Sequence, residues 1–380
     1  MNFELTEEQK MIQQSARDYA QRELIKDVLE RDAKAEYPTQ HVKALTELGF
    51  MGMLVDTKYD GGGMDTISYV LAMEEISKID SSVSVIISVN NSLVCYGLEE
   101  FGTEAQKEKY LKPLARGEIL GAFLLSEPDA GSDATSQRTL AEDKGDYYLV
   151  NGTKNWITNA NSGSVYLLIA QTHPDKGHRG INCLIVEKDT PGISLGPHED
   201  KMGMRSSDTH SVMFNDVKVP KENRIGDDGF GFKFAMKTLE GGRIGIAAQA
   251  LGIAQGAYER ALKYAKERKA FGTEIINHQA VGFKLAEMHT RIEAARYFCL
   301  YAAWLKDQKK PYGTASALAK YWSAETAMFV TTEAVQIHGG YGYVKEYHVE
   351  RLMREAKLTQ IYEGTSEIQK VIIARAIMGD

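Results

Sequence analysis

A carboxylate set between two apolar side chains and a glycine is the first feature of this sequence that could do chemistry. In Ile361-Tyr362-Glu363-Gly364-Thr365-Ser366-Glu367, Ile361 and Tyr362 would strip water from Glu363, raise its pKa and fit it to take a proton near neutral pH. The same letters also read as a helix start, with Thr365 or Ser366 as N-cap and acid in the first turn. Taken alone, the segment leaves base and cap open.

Five other segments have types and spacing suited to holding a ligand. Phe123-Leu124-Leu125-Ser126-Glu127-Pro128-Asp129-Ala130-Gly131-Ser132 reads as a strand running into a loop of small, hydrogen-bonding residues. It could bring amides and hydroxyls against a heterocycle or a phosphate, or be a plain turn. Asn155-Trp156-Ile157-Thr158-Asn159 puts Trp156 and Thr158 on one side of a strand. That pairing suits a stacked redox ring needing a hydrogen-bond partner, or simply a buried tryptophan. Arg268 and Phe271, followed by His278-Gln279, offer a guanidinium for a pyrophosphate or a solvated helix end. Gln336-Ile337-His338-Gly339-Gly340 permits close approach of a flat ligand, or a helix C-cap. Glu240-Gly241-Gly242-Arg243, read at the start of a helix, is an acidic terminus or a polar cluster facing a ligand.

These segments need a scaffold, and the hydrophobic periodicity supplies an α+β one. Residues 1–118 have helical spacing broken at Pro38, Gly49, Asp60-Gly61-Gly62-Gly63 and Gly102, with Thr6 capping the first helix. Residues 119–229 switch to period two in runs such as Tyr147–Val150, Val165–Ile169, Cys183–Val186 and Val212–Phe214, which predicts a small antiparallel barrel or sandwich rather than a parallel Rossmann sheet. Residues 230–380 return to long helices, with Ala and Gly at many contact positions, as a C-terminal bundle.

Composition narrows the function classes. The 380 residues carry 45 Lys and Arg against 52 Asp and Glu, net charge -7, without long blocks of one sign, which argues against nucleic-acid or anionic-membrane binding. Three scattered cysteines give no disulfide framework and no CxxC metal motif, so a reducing compartment is expected. The acidic N-terminus lacks a signal or transit pattern, and no run of about 18 apolar residues predicts a membrane span. A di-iron carboxylate bundle would need Glu-x-x-His pairs, and none occurs. A nicotinamide enzyme is disfavoured because no complete Gly-x-Gly-x-x-Gly follows a strand.

Together, in this order and over the whole length, these segments resemble the acyl-CoA dehydrogenase family. Ser88 to Leu93 and Gly242 to Ala247 look most like its short-chain, butyryl-CoA branch. The resemblance implies FAD, with Phe123, Leu125, Ser126, Ser132, Trp156, Ile157 and Thr158 around the flavin ring and Ser132 also touching CoA. It implies Arg268, Phe271, Gln279, Gln336, Gly339 and Gly340 on the adenosine and pyrophosphate, often across a subunit boundary, with Thr365 and Glu367 completing the flavin site. It further implies Glu240, Arg243 and Gly364 along the acyl-CoA channel. Glu363 would be the catalytic base, because the alternative family position is Gly242 here. The thioester oxygen would be held by the Glu363 amide and a ribityl hydroxyl, giving trans-2-enoyl-CoA. A homotetramer, electron-transfer flavoprotein as acceptor, and a cytoplasmic β-oxidation role in fatty acid metabolism (mitochondrial matrix for a processed eukaryotic form) follow from the same resemblance. Medium-chain or branched-chain dehydrogenation, or an oxidase of the same fold, are the alternatives. Ala270 stands where relatives often carry a hydroxyl.

Overall fold

The computed structural model describes residues 4–379. Residues 1–3 of the acidic N-terminal stretch and residue 380 of the C-terminal helical region lie outside the described residues. Thr6 forms a capping box with Gln9 and starts the helix Glu7–Arg22, using its hydroxyl and the Gln9 amide to satisfy end N–H groups the helix cannot. Helices Val28–Lys34, Thr39–Glu47 and Thr66–Ser77 follow. A continuous helix then runs Ser81–Phe101, π-helical over Val89–Cys95. By length and composition that helix could cross a membrane, yet 94% of its most apolar window is buried inside the protein. It is a core element, wetted on almost no side.

The middle region is a sheet domain, as expected, but not wholly antiparallel. Among the described residues its strands are β1 (Gly121–Leu124), β2 (Leu140–Asp143), β3 (Tyr147–Thr158), β4 (Val165–Gln171), β5 (Ile181–Glu187), β6 (Ile193–Leu195), β7 (Thr209–Pro220) and β8 (Arg224–Ile225). They form one eight-stranded sheet in the order β6-β7-β3-β2-β4-β5-β8, with β1 also paired to β4. The β1–β4 ladder is parallel and the longer ladders are antiparallel. Alternation within a strand reports which face is apolar but carries no information on the direction of its neighbour, so the parallel edge was invisible to it.

Strand β4 is buried on both faces. Tyr166, Leu168 and Ala170 enter a core internal to the sheet, while Val165, Leu167 and Ile169 enter the core of the helices. One strand thereby ties two cores together, and at about 25 cal/mol per Å² its six side chains contribute several kcal/mol.

The C-terminal helices are Gly231–Glu267, Gln279–Asp307, Gly313–His338, His348–Thr359 and Ser366–Met378. The first packs closely on Thr66–Ser77: a Cβ at Gly252 would lie 2.4 Å from the Glu74 carbonyl oxygen, so only glycine allows that approach. Glu240–Arg243 falls inside this helix rather than at its start. Tertiary packing carries the helix through the two adjacent glycines despite their poor intrinsic propensity.

Candidate active site

Glu363 lies in the short turn between the last two helices, and the local backbone is unusual. Its φ is +50° and that of Gly364 is +88°. A left-handed residue bearing a Cβ costs about 1 to 2 kcal/mol, a strain that persists only where surroundings over-determine it. Thr365, φ -56°, then caps the helix Ser366–Met378 by accepting from the Ile368 N–H. The segment is therefore a helix start that also presents Glu363 from the turn before it, so the two readings do not exclude each other.

The Glu363 side chain reaches the wall shared by two cavities. The larger, about 600 Å³, is bounded by Ser126, Ser132, Trp156, Thr158, Met204, Tyr362, Glu363 and Thr365 among others. The smaller, about 130 Å³, is mostly apolar: Val89, Leu93, Phe123, Leu125, Ile157 and Leu239 surround it, with Val85, Ser126, Trp156, Thr158, Tyr362 and Glu363 common to both. Glu363 Oε2 is buried without a hydrogen-bond partner. Burial pushes the carboxyl up to about 7, against the opposing pull of Lys320 and Arg243. A carboxyl lifted toward neutral pH, with an oxygen that no protein donor holds, is equipped as a general base. Gly242 makes room for it, since a Cβ there would come within 2.1 Å of Oε2.

Trp156 sits at a β-bulge in the β3–β7 ladder, where the register shifts between Lys154 and Ile157, and its φ is +61°. It is not a core tryptophan: 62% of it is exposed, its ring forming cavity wall. Behind it, Lys154 Nζ donates to the Leu125 carbonyl (3.0 Å), Glu127 Oε1 (2.7 Å) and Gln137 Oε1 (3.0 Å). Glu127 in turn accepts from the Arg138 and Thr139 amides. The hub fixes the Leu125–Ser132 loop to the strand carrying Trp156 and Thr158. An exposed indole, several hydroxyls and a carboxylate around one cavity fit a flat, polar-edged ring such as a flavin.

A separate cavity of about 610 Å³ is bounded by Tyr264, Arg268, Ile275, His338, Gly339, Gly340 and Tyr341. Gly339 has φ +60°, and the Arg268 guanidinium stands 5.7 Å from the Tyr341 ring centre. Phe271 (97% exposed), Gln279, Gln336 and Glu367 line none of these three cavities within one chain. Glu240 and Arg243 also line none of them, although Arg243 is buried and its charge acts on Glu363. Sequence reasoning missed Lys320, whose Nζ donates to the Gly364 carbonyl at 2.7 Å, and Gln249, whose Oε1 accepts from the Tyr362 hydroxyl. Both lie on faces of long helices with no local motif to mark them.

Models of the acyl-CoA dehydrogenase N-terminal, middle and C-terminal domains match residues 6–118, 122–217 and 229–378. The short-chain specific acyl-CoA dehydrogenase of Clostridium acetobutylicum is 47% identical over 377 residues, spanning 99% of this chain and 100% of that protein. The solved structure of butyryl-CoA dehydrogenase from Megasphaera elsdenii matches with TM-score 0.98 and 47% identity, covering all of both chains. A chain from work on the electron transferring flavoprotein of Acidaminococcus fermentans and flavin-based electron bifurcation matches with TM-score 0.98 and 48% identity, again over both full lengths.

Proposed function

The chain belongs to the acyl-CoA dehydrogenase family, and from that premise we propose that it oxidises the α,β bond of short-chain acyl-CoA thioesters to trans-2-enoyl-CoA. The observation that carries this reading is the unpaired, buried Glu363 oxygen at the wall between a roomy polar cavity and a small apolar one. The α C–H of a thioester is a weak acid, so removing its proton needs a base near its working pKa in a dry site. Glu363 Oε2 accepts that proton. FAD, when bound, supplies the acceptor for the hydride leaving the β carbon.

Ser126, Trp156, Thr158 and Thr365 would hold the ring portion of FAD. Arg268, Gly339 and Gly340 would hold the adenosine and pyrophosphate of FAD in a neighbouring subunit, with the outlying Phe271, Gln279 and Gln336 serving the same purpose. Exposed Phe283, Tyr297, Tyr301 and Trp304 on the helix Gln279–Asp307 support a homotetramer built on the C-terminal bundle. Short acyl specificity is supported by the full-length likeness to the short-chain specific dehydrogenase of Clostridium acetobutylicum. The Acidaminococcus structure supports an electron-transfer flavoprotein as the electron acceptor, and three buried, unpaired cysteines accord with a cytoplasmic setting.

The test is anaerobic flavin bleaching by a series of acyl-CoA thioesters. Four- to six-carbon straight chains should lead in kcat/KM, and Glu363→Gln should keep substrate binding while losing about 10² to 10⁴ in flavin reduction rate. A lead for twelve-carbon or branched chains would overturn the chain-length reading. Near-normal bleaching by Glu363→Gln would overturn the base.

A further inference from the structure

The Glu363–Gly364 turn does not hold itself. Its flanks are tied by backbone bonds, Ile361 and Tyr362 amides to the Leu358 carbonyl and the Ser366 amide to the Gln360 carbonyl. Between them two consecutive left-handed residues have only side-chain donors from other elements. Gln369 Nε2 donates to the Glu363 and Gly364 carbonyls at 3.3 and 2.9 Å. Lys320 Nζ, from the helix Gly313–His338, makes the shorter bond to Gly364 at 2.7 Å.

Lys320 is an improbable residue for that place unless it acts there. It is fully buried, forms no salt bridge among the described residues, and donates to the Gly364 carbonyl. Burial lowers its pKa to about 8 even with Glu363, Glu325 and Glu367 opposing the shift. A lone buried ammonium is costly, and an apolar side chain of similar length would fill the helix face at lower cost.

Resting on Glu363 as the base, we propose that Lys320 is a positioning residue that fastens the left-handed Glu363–Gly364 turn and keeps the carboxylate charged at the wall between the cavities. The charged groups acting on Glu363 are Lys320 and, from the helix Gly231–Glu267, Arg243; the phenols of Tyr362 and Tyr69 are neutral neighbours whose own ionisation burial suppresses. Around Lys320 stand Glu363, Glu325, Glu367 and Arg243. Removing the ammonium leaves Arg243, among the described residues, to oppose burial at Glu363, so the carboxyl must rise further.

The holoenzyme variants Lys320→Met and Lys320→Gln separate fastening from charge, because glutamine keeps an N–H donor for Gly364 and both lack the ammonium. Anaerobic flavin reduction at saturating butyryl-CoA is followed against pH, with butyryl-CoA affinity measured by the flavin spectral shift. Lys320→Met should move the acid limb up by about one unit and slow reduction at pH 7 about tenfold or more, with affinity unchanged within about twofold. Lys320→Gln should recover part of the plateau rate above the limb while its limb stays high. An unmoved acid limb in both variants overturns the proposal, as does a fall in rate matched by an equal fall in affinity. If Lys320→Met fails to retain flavin, the limb of Lys320→Gln decides alone. Failure of the base reading is distinguishable: Glu363→Gln would then bleach at the wild-type rate with no limb near neutral pH.

Discussion

Two buried lysines each donate to a backbone carbonyl beside a cavity, in opposite company. Lys154 has all three donors filled, by the Leu125 carbonyl, Glu127 and Gln137, and its carboxylate partner is itself hydrogen-bonded by two amides. Lys320 has one carbonyl, and the carboxylate nearest in effect, Glu363, is left unpaired. In the sheet, burying charge makes a closed, fully satisfied network that fixes a loop. In the helical half the same chemistry is left incomplete, and the incompleteness is what leaves a carboxylate oxygen available for a proton.

The contrast can be tested by removing one group from each network. The largest effect should come from Lys154→Met, which strands the buried Glu127 carboxylate. Denaturant unfolding should register a loss of about 3 to 5 kcal/mol, and a loss below 1 kcal/mol would erase the distinction. Glu363→Gln should act with the opposite sign. The folded-state pKa of Glu363, about 7, lies above the ordinary value of 4.5. Its protonated form is therefore favoured by folding, and wild-type stability declines as pH rises from 4.5 through 7. The variant should thus gain on wild type above pH 7, by up to about 3 kcal/mol at 1.36 kcal/mol per unit, and match it near pH 4. A destabilised Glu363→Gln at pH 8 would place that carboxylate in a satisfied network after all. Gly242→Ala is the smallest and sharpest probe. Its new methyl would meet Oε2, so flavin reduction should fall by roughly tenfold, about 1.4 kcal/mol of barrier, with little change in thermal midpoint.

The same contrast explains what could be read from the sequence. Helix-sheet-helix order follows from periodicity, and the quoted runs at 147–150, 165–169, 183–186 and 212–214 all lie within strands. Glu363 stood out as a candidate because its apolar neighbours and glycine adjoin it in the chain, though those letters left base and cap open, and Ser126, Ser132, Trp156, Thr158 and Thr365 line the same cavity from segments with local signatures. Lys320 was not legible, since a lysine on a long helix looks like any solvated lysine until folding brings a carbonyl 44 positions away against it. The bulge at Trp156 and the parallel β1–β4 ladder escaped for a related reason. Each depends on a partner strand, and partners are set by tertiary geometry rather than by the strand's own letters.

The apolar helix Ser81–Phe101 has a consequence during synthesis. It packs against the helix Gly231–Glu267, where Gly245 faces Ser88 and Gly242 faces Leu93. About 130 residues separate the end of one from the start of the other, which at about 5 to 20 residues per second is roughly 6 to 26 seconds of translation. For that interval the nascent chain displays a segment that insertion machinery could accept, with its native cover not yet made. The serines and asparagines threaded through it, Ser81, Ser82, Ser84, Ser88, Asn90, Asn91 and Ser92, make lipid a poorer refuge than the unfinished protein, so the polar groups that later find partners in the core first serve to keep the chain on its folding route.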